Sequence, residues 1–429
     1  MTLPLPPLPT SSSGLSAVRT LLAGESILVT LQAMHKGLGD IFRLPMPGGS
    51  PIVLAGPEAG HFVAVTARHS LAWRNERDPV TGLLRHGLLV EDAQSHDDLR
   101  RAVMPSLHRR RVEDYAPAML RRLDQITAGW DLSRPLDMLV EMRRVALLIL
   151  VDTLFDDDFT PYLQRLFPAI LRMLAYISPG AWLLWRDIPR PGYGWALAEV
   201  DAYLYRLIAQ RRARGLGEDL LSSLIAAGMD DHLIRDQLLT LFIAGHDTST
   251  ALLAWVLYHF GRYPDVQAQA RAERDAAIGA ALPGPQNIGQ LVYLDQVIDE
   301  TLRLYPPIHV SNRVALETLE FQGYRIPAGR RVMFSIYLTH RHEKYWPAAD
   351  RFDPQRFAPN VKHLPYTFLP FGGGPRNCIG SFFAQVEAKI LLARLLERFN
   401  FTLLNPAVHM HMGATLEPRP GVLMKVTRR

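Results

Sequence analysis

The stretch FGGGPRNCIG, residues 371–380, carries the only cysteine of a 429-residue chain. Four glycines, a proline and an arginine surround Cys378, company that a cysteine acting as a small buried hydrophobe does not need. Gly372, Gly373 and Gly374 permit backbone conformations closed to other residues and leave room for something flat to approach. Arg376 can bond an anion just before the cysteine, and Gly380 follows just after it. A helical pattern begins at about Ser381. Cys378 therefore stands just before a helix N-terminus, where partial positive charge and free N–H groups favour a thiolate. Such a sulfur could be a nucleophile, a metal ligand or a haem ligand. Zinc asks for three or four protein ligands, and no second cysteine exists. A cysteine nucleophile needs a histidine base, and with fifteen histidines in the chain counting alone leaves that open. A single axial thiolate on haem iron needs one cysteine and pushes electron density toward O–O cleavage.

Outward from this loop, residues 349–377 are rich in Pro, Phe, Arg and Gly and have no clean period. A structureless stretch of that length inside a compact domain is usually functional. Most of the remaining chain is helical in pattern, with runs near 14–36, 93–105, 111–129, 136–154, 160–177, 192–214, 231–262, 264–281, 293–305 and 381–398. Strand signals are few. IFRLPM and PIVLAG flank residues 47–50 and predict a hairpin, and short strands fit 311–316, 319–325, 331–335 and 422–427. The pattern is that of a mainly α fold with small β-sheets. No internal repeat and no long linker interrupts it.

Composition narrows the class further. At 48% hydrophobic and 21% charged, the chain resembles a globular protein with a large core. One cysteine cannot form an internal disulfide, so nothing points to an oxidising compartment. A net charge of +5 is too small to argue for nucleic acid. The basic run His108-Arg109-Arg110-Arg111 reads as a solvated face or as a site for an acidic protein partner. The proline-rich N-terminus lacks a basic n-region and a continuous apolar stretch, which argues against a signal peptide and predicts a short extended lead-in. Residues 238–260 are long enough to span a bilayer. They carry His246 and Asp247 near their middle, and a central aspartate costs about 2.5–3.5 kcal/mol on insertion. A helix buried in a large core is the better reading, and no transmembrane anchor is expected.

Phe371, Gly374, Arg376, Cys378 and Gly380 match the cysteine loop of the cytochrome P450 family, the haem-thiolate monooxygenases, and further resemblances run in family order from about residue 90 to the end. The resemblance implies the P450 fold, with haem b between the long central helix and the helix that follows the cysteine loop, and Cys378 as the iron ligand. Glu300 and Arg303 sit at i and i+3, an ordinary surface pair if taken alone. Together with Arg356 of FDPQRF they match the family's buried network that braces the cysteine loop. His96 and Arg100, at i and i+4, match the family's propionate-binding His-x-x-x-Arg, and Arg313 and Arg376 complete that set. Within AGHDTS, residues 244–249, buried Gly, Asp and Thr break the local rules for an apolar helix. A threonine hydroxyl can bond the carbonyl four residues back, here Ala244, and bend the helix, and Gly245 would let a ligand approach the backbone. Asp247 and Thr248 match the family's acid–alcohol pair; the resemblance implies that Thr248 hydrogen-bonds the bound oxygen and that Asp247 helps to bring protons in.

By the same likeness the pocket is lined by the segment between Trp73 and Val90, by Phe242, Ala244 and Gly245, and by Ile308 to Val310, with a turn at Met410–Ala414, including Met412, closing it. These residues are mostly apolar and fit a fatty acid, a terpenoid or a similar lipophilic substrate. The expected reaction places one atom of O2 in an apolar C–H or C=C bond and sends the other to water. Two alternatives are a peroxide-using or isomerising haem-thiolate enzyme, whose members typically lack the acid–alcohol pair, and a non-enzymatic haem sensor, which would need no proton relay. Residues 1–429 read as one haem domain, with 1–36 as lead-in and first helix, and no fused reductase follows. Electrons would come from NAD(P)H through a ferredoxin or flavodoxin and its reductase, docking near Arg100, Arg101 and Arg109–Arg111. The expected location is the cytoplasm.

Overall fold

The computed structural model describes residues 3–9, 27–46, 50–179 and 190–429. In chain order its helices are α1 (Ile27–Leu38), α2 (Gly56–His61), α3 (Pro79–Leu84), α4 (Ala93–Val103), α5 (Arg109–Asp114), α6 (Ala116–Ala128), α7 (Met138–Leu150), α8 (Thr160–Ile177), α9 (Tyr193–Arg214), α10 (Leu220–Ala226), α11 (Asp231–Arg262), α12 (Pro264–Ile278), α13 (Val292–Leu304), α14 (Ile336–Thr339) and α15 (Ser381–Arg398). α11 decides the architecture. Its 32 residues span about 48 Å at 1.5 Å per residue. Asp230 caps it, its side chain accepting from the Leu233 N–H at 2.8 Å. It ends at Tyr263, just before the proline that opens α12. The helix is apolar on all sides, so all sides must be covered. It is enclosed by α7, α9, α12, α13 and α15 and by two strands. Residues 238–260 lie inside it as buried core, and among the described residues no helix is long and apolar enough to cross a membrane.

The strands are β1 (Ile41–Arg43), β2 (Ile52–Leu54), β3 (Leu71–Ala72), β4 (Leu136–Asp137), β5 (Val310–Ala315), β6 (Leu319–Phe321), β7 (Tyr324–Ile326), β8 (Arg331–Ser335), β9 (Phe399–Leu403), β10 (His409–Met412), β11 (Leu416–Arg419) and β12 (Leu423–Arg428). A five-stranded sheet runs β1-β2-β8-β5-β3, a three-stranded one runs β4-β12-β9, and β6-β7 and β10-β11 are hairpins. β1 and β2 pair antiparallel, Ile41 opposite Leu54, as the flanking apolar runs predict. The turn between them, 47–49, lies outside the described residues, as do residues 14–26 of the expected first helix. Residues 3–9 link β1 to the β6-β7 hairpin: the Pro7 carbonyl accepts from the Arg43 N–H and the Pro4 carbonyl from the Arg325 N–H.

Four differences from the sequence reading have local causes. The strand expected over 319–325 is a hairpin, because Gln322 and Gly323 adopt φ of 48° and 78° and turn the chain back in two residues. The run 111–129 is two helices, broken around Tyr115 with Pro117 in the first turn of the second. The run 136–154 opens as strand β4 and closes in a wider π turn, Val151–Phe155, beyond α7. Residues 410–412, expected as part of a turn, are strand, and the reversal is confined to Gly413–Thr415. The long irregular stretch is as expected. Between Thr339 and Ser381 only short 3-10 turns occur, at Pro354–Phe357 and Gly374–Arg376.

Candidate functional site

The cysteine loop closes on itself before α15 begins. The Cys378 N–H donates to the Phe371 carbonyl at 2.8 Å, and Asn377 N–H to the Gly374 carbonyl at 3.1 Å. Gly374 has φ +67°, and a Cβ there would collide with the Ala64 carbonyl. The close approach that demands glycine at this position is thus to the chain itself, not to a ligand. α15 starts at Ser381, with Gly380 as its cap residue. The Cys378 sulfur is open to solvent, yet burial pushes its pKa up against the opposing influence of the Gly380 N–H and the Arg100 charge. Both hold for a sulfur that faces an internal cavity rather than the outer surface.

α11 is covered on almost every side near its centre. Between Ile234 and Leu257 every residue is buried except Ala244, Gly245 and Thr248. Spaced i, i+1 and i+4, these lie on one face, which marks where the helix borders the cavity. The Thr248 hydroxyl donates to the Ala244 carbonyl at 2.8 Å. Phe242, expected on the same wall, is 0% exposed and packs its ring against Phe159 and His246. It belongs to the core, because its helical position turns it the other way. At Gly245 a Cβ would run into the Leu150 side chain, so this glycine serves the contact of α11 with α7. Ile308 is exposed and Val310 half-buried at the start of β5. Met412 packs with Met410 against the core formed by α1, β1 and α14, where the β10-β11 hairpin lies.

Asp247 is buried and turned to the far side of α11. One carboxylate oxygen accepts from Arg143 at 2.9 Å and the other from the Thr415 hydroxyl at 2.8 Å. Arg143 also reaches Glu417 at 2.9 Å, and Glu417 pairs with the half-exposed Arg419 at 2.9 Å. A chain of charges thus leads from the centre of α11 to the surface. Arg143 was not singled out in the sequence, although an arginine inside the apolar run of α7 was the available signal. His246, which has no assigned part, is fully buried, donates through Nδ1 to the Phe242 carbonyl, and burial pushes it down to about 4.

Glu300 and Arg303 on α13 are both 0% exposed. The carboxylate takes Arg303 Nε at 2.6 Å, Arg303 Nη2 at 2.8 Å and the Asp353 N–H at 2.9 Å, with Arg356 Nε at 3.5 Å. Arg303 also donates to the carbonyls of His340, Ala349 and Arg351. His340 completes the route to the loop. It is fully buried, burial pushes it down to about 3, and its neutral ring accepts from the Leu369 N–H at 2.7 Å.

A basic group gathers beside the cysteine loop. Arg100 on α4 donates to the Asn377 carbonyl and side chain at 2.9 and 2.8 Å. His96, one turn earlier, is buried against Asp97, and burial lowers its pKa, with Arg376 and Arg100 adding to the effect. Arg376 pairs with Asp92 at 2.6 Å and also bonds the Glu91 carbonyl. Arg313 on β5 bonds only the Ser311 hydroxyl and the Asn312 carbonyl, and no acid pairs with it among the described residues. Burial, then Arg376 nearby, pushes Arg313 down to about 9. A buried guanidinium without an acid is costly unless an anion joins it.

The family model for cytochrome P450 matches residues 4–424. The chain belongs to the cytochrome P450 family. It is 30% identical to putative cytochrome P450 139 of Mycobacterium tuberculosis, over 94% of this chain and 98% of the relative. It is 31% identical to cyclooctatin synthase of Streptomyces melanosporofaciens, over 93% and 90%, and 28% identical to protein LUTEIN DEFICIENT 5, chloroplastic, of Arabidopsis thaliana, over 99% and 77%. Among solved structures, the cytochrome P450DA heme domain superposes with a TM-score of 0.87 at 25% identity, covering 100% of this chain and 98% of that one. Retinoic acid bound cyanobacterial CYP120A1 gives the same TM-score at 24% identity over the full length of both. Membership makes the protein a haem-dependent monooxygenase that uses O2, works with a redox partner and acts on a lipophilic substrate. The P450 site fits its cofactor on its own terms. A lone exposed cysteine stands just before a helix, and close by Arg313 is a buried cation with no acid paired to it among the described residues, which an anionic group would satisfy.

Proposed function

We propose that residues 1–429 act as one P450 haem domain that oxygenates a terpenoid-like apolar molecule with electrons from a separate ferredoxin or flavodoxin. The observation that carries this reading is that Cys378 is exposed just before α15 in a chain whose central helix α11 is uncovered, between Ile234 and Leu257, only at Ala244, Gly245 and Thr248. Cys378 would hold haem b by its iron; His96, Arg100, Arg313 and Arg376 would meet the haem carboxylates; Glu300, Arg303 and Arg356 would keep the cysteine loop in place. Haem, when bound, would supply redox-active iron for the activation of O2. The chain's own part is to position and to move protons. The Thr248 hydroxyl spends its hydrogen on Ala244, which leaves its oxygen lone pairs free to accept from the cavity. Asp247 would be the carboxylate that helps to bring protons in; Arg143 and Thr415 hold it in place, and Arg143 and Arg419, joined through Glu417, keep their own protons. The terpenoid class is supported by two relatives with terpenoid-related names, cyclooctatin synthase and LUTEIN DEFICIENT 5.

The direct experiment uses purified, haem-loaded protein. Its ferrous-carbonyl spectrum is expected to be of the thiolate type, and terpenoids should displace water from the iron and shift the ferric absorption. A spectrum of histidine type would overturn the cysteine ligand. A response to fatty acids with none to terpenoids would overturn the substrate class.

The partner docks, in this reading, on the face carrying Arg100, Arg101 and Arg109–Arg111. That face is less positive than its sequence implies, since Arg101 pairs with Asp98, Arg109 with Glu113 and Arg111 with Glu218. Reversing Arg109, Arg110 and Arg111 to glutamate should slow electron transfer and flatten its dependence on salt. Unchanged turnover with an unchanged salt slope would place docking elsewhere.

A further inference from the structure

One donor beside the basic cluster has no acceptor. The indole Nε1 of Trp73 is buried and has no hydrogen-bond partner in the protein. Its place is set by two independent constraints. β3 pairs antiparallel with β5, Leu71 opposite Ala315 and Ala72 opposite Val314, so the next step of that register brings Trp73 alongside Arg313. Asp92 then fastens the chain, accepting from the Trp73 N–H at 3.0 Å and from the Arg74 N–H at 2.8 Å. The Arg313 guanidinium lies over the Trp73 ring at 3.8 Å, and Arg376 stands 5.9 Å from it. The nearby acid, Asp92, is already shared between Arg376 and these backbone groups. The indole N–H thus stands without an acceptor beside Arg376, whose acid is shared, and Arg313, which reaches only the Ser311 hydroxyl and the Asn312 carbonyl and pairs with no acid among the described residues. A buried tryptophan N–H ordinarily finds a partner, and beside two guanidiniums the partner that fits is an anion.

We propose that Trp73 binds a ligand carboxylate through its indole N–H, together with Arg313 and Arg376, and that this carboxylate is one of those of the haem. The inference rests on the haem-binding reading above. Stacking holds Arg313 flat on the ring, so the tryptophan both orients one donor and supplies another. A substrate carboxylate offers the same chemistry, and the test separates the two sources.

Haem loss from the ferric holoprotein to excess apomyoglobin is followed for the natural chain and for Trp73→Phe, which keeps an aromatic face under Arg313 and removes only the N–H. Loss should be faster in the variant by on the order of tenfold, as for a hydrogen bond to a charged group. With haem dimethyl ester in place of haem, the difference between the two proteins should largely disappear. Trp73→His, which restores a ring N–H, should recover retention in part, and it keeps the proposal testable if the phenylalanine variant folds poorly. Equal haem loss with unmodified haem overturns the proposal. So does a variant that keeps its haem but loses affinity for a carboxylate-bearing ligand, which would assign the N–H to substrate. Natural protein that takes up no haem at all would instead sink the haem-binding reading itself.

Discussion

Glu300→Ala is expected to yield little or no folded, haem-loaded protein. All five N–H groups of the Arg303 guanidinium are spent, two on Glu300 and three on the carbonyls of His340, Ala349 and Arg351. Burial pushes the Glu300 carboxyl up and the Arg303 guanidinium down, so each charge survives only because the other faces it. Removing the carboxylate leaves Arg303 charged in a fully buried site, and Arg356 loses the same partner. Breaking a buried pair in this way costs about 3–5 kcal/mol, a large part of a total stability of about 5–15 kcal/mol. The damage would not stay on α13. Arg303 fixes the His340 carbonyl, and His340 holds the Leu369 N–H just ahead of Phe371, so the cysteine loop loses its support. The readouts are the ratio of haem to protein absorbance after purification and the thermal midpoint. Glu300→Gln, which keeps acceptor and shape, should fall between. Normal haem content with an unmoved midpoint in Glu300→Ala would show that the network is dispensable.

That route also shows what a sequence can and cannot convey. Residues that act at fixed short spacing were legible: the cysteine loop, Glu300 with Arg303, and Thr248 with the carbonyl four residues back. The bounds of α15 follow from an apolar period that begins right after Gly380. Residues recruited across the fold were not. His340 and Asp92 do their work through partners 29 and 284 positions away, and no local pattern marks them. Phe242 was misplaced for a different reason. α11 is buried all round, so its periodicity carries no information on which face borders the cavity; only the exposure of Ala244, Gly245 and Thr248 does. Strands β9, β10 and β11 were missed because each gains its stability from pairing rather than from its own alternation.

The second large effect is expected in coupling rather than in folding. Thr248→Ala should fold and bind haem, because the hydroxyl contributes one hydrogen bond to a helix whose ladder is intact without it, about 1 kcal/mol. In the natural chain that bond fixes the Thr248 oxygen on the accessible face, with lone pairs toward the cavity and the hydrogen on Ala244. Asp247 cannot take over the role as it stands, since Arg143 and Thr415 occupy both of its oxygens on the other side of α11. Without the hydroxyl, nothing on this face of the helix positions a proton, and O2 reduction parts from oxygen transfer. Most reducing equivalents should then leave as hydrogen peroxide, and product formation should fall by on the order of a hundredfold, as for loss of a group that positions a transferred proton. Thr248→Ser, which keeps the hydroxyl and its bond to Ala244, should restore much of the coupling. Peroxide, product and NAD(P)H consumption measured together decide the matter: full coupling in Thr248→Ala would remove Thr248 from proton delivery and leave it only as a residue that shapes the helix.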